Sequence, residues 1–139
     1  MPLKKSLREI KKDLENFREY EVVVYGSYAK RELTSRSDID IAVITRKKRP
    51  EENTKIWRQM LGKAPQEYDV KMFELLPLEI KISLIGNYKV IYGDALEISE
   101  YFYHFRKLWK DVSKRYYENK ISRVKEKLKL LRRARQAGF

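Results

Sequence analysis

The chain has no cysteine, one histidine and no apolar run as long as a membrane span. Without cysteine there is no disulfide framework, no thiolate metal site and no Cys nucleophile. His104, between Tyr103 and Phe105, has no second imidazole to share an ion, so it reads as a packed or partly exposed ring. Apolar runs fall short of the ~18 residues of a spanning helix. The opening Met1-Pro2-Leu3-Lys4-Lys5 lacks the apolar core of a signal peptide. The expectation is a cytoplasmic protein with no membrane association. Internal repeats and low-complexity linkers are missing too.

Charge is abundant: 37% of the 139 residues are charged, against about 25% in ordinary chains. Much Lys, Glu and Arg with no Cys is the composition of thermophile proteins. The net charge of +12 is not spread evenly. Residues 106–135 hold thirteen Lys or Arg and three Asp or Glu, leaving nineteen basic and seventeen acidic residues elsewhere. A near-neutral body therefore carries a basic tail. The length suits one compact domain with an appendage, and such a chain buries roughly two-thirds of its unfolded surface.

Leu3, Leu7, Ile10, Leu14 and Phe17 recur at helical steps, predicting an amphipathic first helix. Residues 21–25 are a short β-branched run, read as a buried strand that Gly26 ends. A brief helical turn over 27–31 and a polar loop over 33–37 follow. Ile39, Ile41 and Val43 alternate with Asp38, Asp40, Ala42 and Ile44, so a second strand has two unlike faces. Helical spacing resumes over 51–62, with Ile56, Trp57, Met60 and Leu61 on one side. Residues 68–74 are the third strand. Pro77 opens a helix whose inner face is Leu78, Ile82 and Ile85. Residues 88–92 are a fourth strand, and Gly93-Asp94 a turn. From Ala95 the apolar rhythm runs through Ile98, Phe102, Phe105, Trp109, Val112 and Tyr116. It continues one position out of phase through Tyr117, Ile121, Val124, Leu128 and Leu131. The shift fits one helix with a drifting stripe or a helix pair. The expected division is a first domain over 1–94 and a basic amphipathic extension over 95–139.

The chemistry concentrates around Gly26-Ser27 and, eleven residues after Ser27, Asp38-Ile39-Asp40. Residues two apart on a strand share a face, about 6.6 Å apart along the chain. Asp38 and Asp40 therefore project together and can hold one divalent ion, or share two about 3.5–4 Å apart. Hard carboxylate donors suit Mg²⁺ or Mn²⁺, which complete their shells with water and substrate phosphates. Asp69 supplies a further carboxylate if the third strand lies beside the second, and can take the proton of an attacking hydroxyl. Gly26 allows close backbone approach, the turn after it offers N–H groups to an anion, and Ser27 adds a hydroxyl donor. Lys30 and Arg31 are cations within reach of a leaving pyrophosphate. No Gly-Lys-Ser/Thr P-loop exists. Singly, an Asp-x-Asp is more often a solvated strand edge, a Gly-Ser a plain turn, and Asp69 a surface charge. Their order along the chain is the signal.

Gly26-Ser27-Tyr28-Ala29-Lys30-Arg31 with Ser37-Asp38-Ile39-Asp40-Ile41 resembles the signature of the minimal nucleotidyltransferases of the DNA polymerase β-like superfamily. The resemblance covers roughly residues 5–94. It implies the α/β nucleotidyltransferase fold, a small mixed sheet flanked by helices. It also implies transfer of a nucleoside monophosphate, AMP by expectation, from an NTP to a hydroxyl. It places Asp38, Asp40 and Asp69 on the metals, and Gly26 with Ser27 on the triphosphate. Members similar in kind include kanamycin nucleotidyltransferase and MntA-like antitoxins that adenylylate a HEPN-type toxin. The latter match this chain better in size and imply such a toxin as partner. One position departs from the signature: Arg31 stands where the family usually has glycine. Were positive φ needed there, it would cost about 1 kcal/mol or more.

The basic tail admits three readings: a helix packed along its stripe, an RNA-binding surface over 106–135, or a homodimer seam. A competing reading of the whole chain is a non-catalytic nucleotide- or RNA-binding module that works through that helix.

Overall fold

The computed structural model describes residues 5–26, 28–29 and 38–136. The chain divides into two compact units, Met1–Phe105 and Arg106–Phe139.

Helix α1 spans Leu7–Asp13 and ends in a 3-10 turn, Glu15–Phe17. Ser6 caps it, its hydroxyl accepting from the Glu9 N–H at 3.1 Å. The strands are β1 (Glu21–Tyr25), β2 (Ile39–Ile44), β3 (Tyr68–Met72) and β4 (Tyr88–Tyr92). Helix α2 (Pro50–Met60) carries the chain from β2 to β3, and α3 (Leu78–Gly86) leads to β4. Helix α4 runs unbroken over Ala95–Gln136. Its start is capped by Asp94, whose carboxylate accepts from the Glu97 N–H at 3.0 Å.

The sheet order is β3-β2-β1-β4. β1 is antiparallel to β2 and β4, whereas β2 and β3 are parallel, so the sheet is mixed as expected. A parallel pair needs a crossover, which α2 provides. Trp57 fastens α2 to the sheet, its indole N–H donating to the Val70 carbonyl at 2.9 Å.

The unlike faces of β2 organise the core. Ile39, Ile41 and Val43 join Val22, Val24, Val70 and Met72 under Ile10, Leu14, Phe17 and Met60. On the other face, Ala42 and Ile44 join Val23, Tyr25, Phe73, Leu84, Ile98 and Phe102. Phe73 and Phe102 stack with ring centroids 4.8 Å apart. β1 is buried on both faces, which explains its unbroken apolar run.

Several boundaries differ from the sequence reading. The first helix begins at Leu7, which is exposed, and at Leu14 the chain tightens into the 3-10 turn that brings Phe17 under the sheet; Leu3 lies outside the described residues. β3 stops at Met72, and Phe73 turns into the core through a 3-10 turn. α2 ends at Met60 and leaves Leu61 exposed. In α3 the fully buried pair is Leu84 and Ile85, with Leu78 and Ile82 only half-buried. The phase shift in the last segment is a drifting stripe on one helix. His104 is exposed. None of the helices in the described residues is long and apolar enough to cross a membrane.

Candidate active site

The site lies where β1 ends and β2 and β3 begin. Asp40 sits opposite Tyr25 on one side and Asp69 on the other, and Tyr25 sits opposite Tyr88. A row of side chains, Asp69, Asp40, Tyr25 and Tyr88, thus crosses all four strands on one face. Adjacent strands are about 4.8 Å apart, so the two carboxylates are near neighbours. Local sequence explains why they share that face. β3 alternates Tyr68, Val70 and Met72 toward the core with Asp69 and Lys71 on the other side, as β2 does with Ile39 and Ile41 against Asp40.

Electrostatics follow from this geometry. Partial burial first, then the facing Asp69 carboxylate and also Asp38, push the Asp40 carboxyl above the usual carboxylate range, and Lys71 opposes this. The same acids act on Tyr25: burial, then Asp40 and Asp69, push its hydroxyl well up and keep it neutral. Lys71 Nζ lies 3.7 Å from Asp69 Oδ2, with both side chains about half-exposed. Such a half-exposed pair is worth little. Asp38 is exposed, just before β2.

Gly26 closes the site from above. Its φ is +68°, and a Cβ there would lie 2.5 Å from Asp40 Oδ2. The position thus demands glycine twice, for the left-handed backbone and for the space over the carboxylate. The next described residues, Tyr28 and Ala29, are buried. The Tyr28 hydroxyl donates to the Lys5 carbonyl, so the corner is anchored to the N-terminal segment. That segment is in turn tied to the start of β3. Lys5 bridges Asp13 at 2.8 Å and also pairs with Glu67, while the Tyr68 hydroxyl donates to Asp13.

The structure therefore brings together Asp40, Asp69 and Gly26, with Asp38 beside them. Ser27, Lys30, Arg31 and Ser37 lie outside the described residues. Among the described residues no three His, Cys, Asp or Glu side chains are gathered as one ion would need. The donors nevertheless fit a hard divalent cation in type and charge: carboxylate oxygens on adjacent strands whose mutual repulsion, among the described residues, Lys71 alone offsets. Sequence reasoning missed Tyr25 and Lys71. Each had a signal, Tyr25 immediately before the glycine and Lys71 two residues after Asp69 on the same strand face.

The polymerase β nucleotidyltransferase family model matches residues 8–96, a segment that contains the whole of this site. The chain belongs to that family. It is 51% identical over 112 residues to a Methanocaldococcus jannaschii protein named "Putative protein adenylyltransferase MJ1547", covering 81% of this chain and 87% of that one. Two solved structures share the fold. A toxin–antitoxin crystal structure with AMP-PNP superposes with a TM-score of 0.64 at 15% identity, over 86% of this chain and 98% of that chain. A complex of the tri-AMPylated Shewanella oneidensis HEPN toxin with its MNT antitoxin gives a TM-score of 0.57 at 15% identity, over 85% and 94%. This nucleotidyltransferase is thus an enzyme of that family, and Asp40 and Asp69 stand opposite each other on β2 and β3 within the matched segment.

Proposed function

We propose that this nucleotidyltransferase is a Mg²⁺-dependent adenylyltransferase that moves AMP from ATP to a hydroxyl on a partner protein. The observation that carries the reading is Asp40 facing Asp69 across β2 and β3, with Gly26 against the Asp40 carboxylate. The M. jannaschii relative's name supports the adenylyl group and a protein acceptor. The AMP-PNP complex and the AMPylated HEPN toxin among the fold neighbours support ATP as donor and a HEPN-type toxin as acceptor.

In this reading Asp38, Asp40 and Asp69 hold Mg²⁺. The ion supplies charge neutralisation on the phosphates and at the leaving group. Gly26 would hold the triphosphate tail by its backbone N–H, and the resemblance of the signature assigns Ser27 and Lys30 to the same phosphates by residue type. Asp69, open to solvent at the sheet edge, accepts the proton of the incoming hydroxyl. The hydroxyl oxygen bonds to the α-phosphorus as the bond from that phosphorus to the β-bridging oxygen breaks. Pyrophosphate leaves with the bonding electrons. The gain comes from positioning and charge complementarity.

Incubation with ATP labelled at the α-phosphate, Mg²⁺ and a purified HEPN-type protein tests the reading. Label is expected on the protein with α-labelled but not γ-labelled ATP. Transfer that persists in Asp40→Ala overturns the assigned site.

A further inference from the structure

The second unit carries a surface that the active site does not use. Tyr117, Ile121, Val124, Leu128 and Leu131 follow one another at steps of four, three, four and three along α4. This is the spacing of a coiled-coil seam. All five are half-exposed or more, from 50% at Tyr117 to 62% at Leu131. A continuous apolar stripe of this kind marks a contact surface. Upstream, Trp109, Tyr116 and Tyr117 cover one another, with centroids 5.4–5.9 Å apart, and end the seam in an aromatic cluster.

The flanks say what covers it. Positions beside the seam are Lys120, Lys125, Lys127 and Arg132, against the single acid Glu118. A second copy packed in parallel register would set Lys120 against Lys125 and Lys127 against Arg132. An antiparallel copy would face the same basic flanks. Like charges at these sites oppose pairing, and opposite charges select a partner. Nucleic acid would use the cations yet leave the regular apolar repeat uncovered.

We propose that the 117–131 seam of α4 docks an amphipathic helix of a partner protein whose apolar stripe is flanked by Asp or Glu. The surface is independent of the transfer chemistry and needs neither nucleotide nor divalent cation.

The test uses the full chain and fluorescein-labelled helical peptides of about three heptads, with Leu at the seam positions and Glu beside them. Anisotropy is expected to rise to saturation with this probe. A Lys-flanked peptide, or a Glu-flanked peptide with Ser at the seam, is expected to bind roughly tenfold more weakly or worse. Leu128→Asp is expected to lose the interaction with helix content by circular dichroism unchanged. The double variant Lys125→Glu/Lys127→Glu, which keeps the seam, is expected to prefer the Lys-flanked peptide instead. Asp40→Asn is expected to bind the peptide as the parent does, so failure of the transferase reading leaves this result standing. Three results overturn the proposal: equal binding of the Ser-seam peptide; RNA binding that survives Leu128→Asp while no peptide binds; and a concentration-dependent dimer, seen by sedimentation, that Leu128→Asp abolishes.

Discussion

Acids gather near both ends of β1, and the fold treats the two groups in opposite ways. At the start, Glu21 receives two hydrogen bonds from the Arg46 guanidinium, at 2.6 and 2.9 Å. Beside it, Glu74 accepts from the Thr45 and Arg46 N–H groups at 3.1 and 3.0 Å, and from the Tyr101 hydroxyl at 2.9 Å. These bonds hold Arg46 in the left-handed region, φ 62°, with its guanidinium stacked 4.7 Å over the Tyr101 ring. At the far end, Asp40 faces Asp69 with Asp38 nearby, and among the described residues a half-exposed Lys71 is the cation that offsets them. Paired acids secure the fold. Asp40 is instead raised above the usual carboxylate range, by burial first and by the facing Asp69 carboxylate second, the condition expected of a site kept for chemistry rather than for folding.

Asp40→Asn should break this contrast most sharply. The isosteric amide keeps the shape and removes the charge, and transfer is expected to fall by about 10²–10³-fold in kcat, the usual effect of losing one preorganised electrostatic group. Single-turnover label transfer checks it. Gly26→Ala comes next. Its methyl must displace the Asp40 carboxylate, and misplacement on that scale costs roughly 10²-fold in rate. The left-handed backbone adds about 1–2 kcal/mol of instability, readable by urea unfolding. Parental activity in the Gly26→Ala variant would mean that Asp40 has no fixed role.

Glu74→Ala should do the reverse at the other end. It leaves the Thr45 and Arg46 N–H groups to seek water, and is expected to cost about 1–3 kcal/mol of stability. The transfer rate per folded molecule should stay close to that of the parent.

The smallest effect is a pH-dependent one. A carboxyl whose native pKa is raised binds its proton more tightly in the folded state than in the unfolded chain. It therefore destabilises the native state increasingly as pH rises from the unfolded value through the native one. Asp40→Asn is accordingly expected to melt above the parent at neutral pH without divalent cations. The gap should close as pH falls below the ordinary carboxylate range. Mg²⁺ should raise the melting temperature of the parent and not of the variant, reversing their order. Identical melting curves across that range would show that the acids do not repel one another in the folded protein.

How much of this was legible follows from how local each feature is. The Gly26 stop and the place of Asp40 on β2 could be read directly, because a glycine stop and a strand's period of two are properties of neighbouring residues. The face change in β2 was legible for the same reason. The end of α1 was not, since Leu14 and Phe17 keep helical spacing while the backbone tightens to bury Phe17. Leu84 escaped because burial in α3 depends on Phe73 and Phe102, which arrive from elsewhere in the chain. The Glu74 clasp was invisible, joining residues 28 and 29 positions apart.

The sequence by itself determined which residues could carry charge to a strand end, where the chain could turn tightly, and that the last helix would be basic with an apolar stripe. Each depends on side-chain type and short-range period. Only the tertiary structure decided that Asp69 stands opposite Asp40, that Tyr25 stands on Asp40's other side, and that the stripe is exposed over 117–131. The physical reason is register. Two strands joined through α2 can slide by one residue, and a slip of one would turn Asp69 to the other face. Packing of Val70, Met72 and Trp57 against the sheet is what forbids that slip.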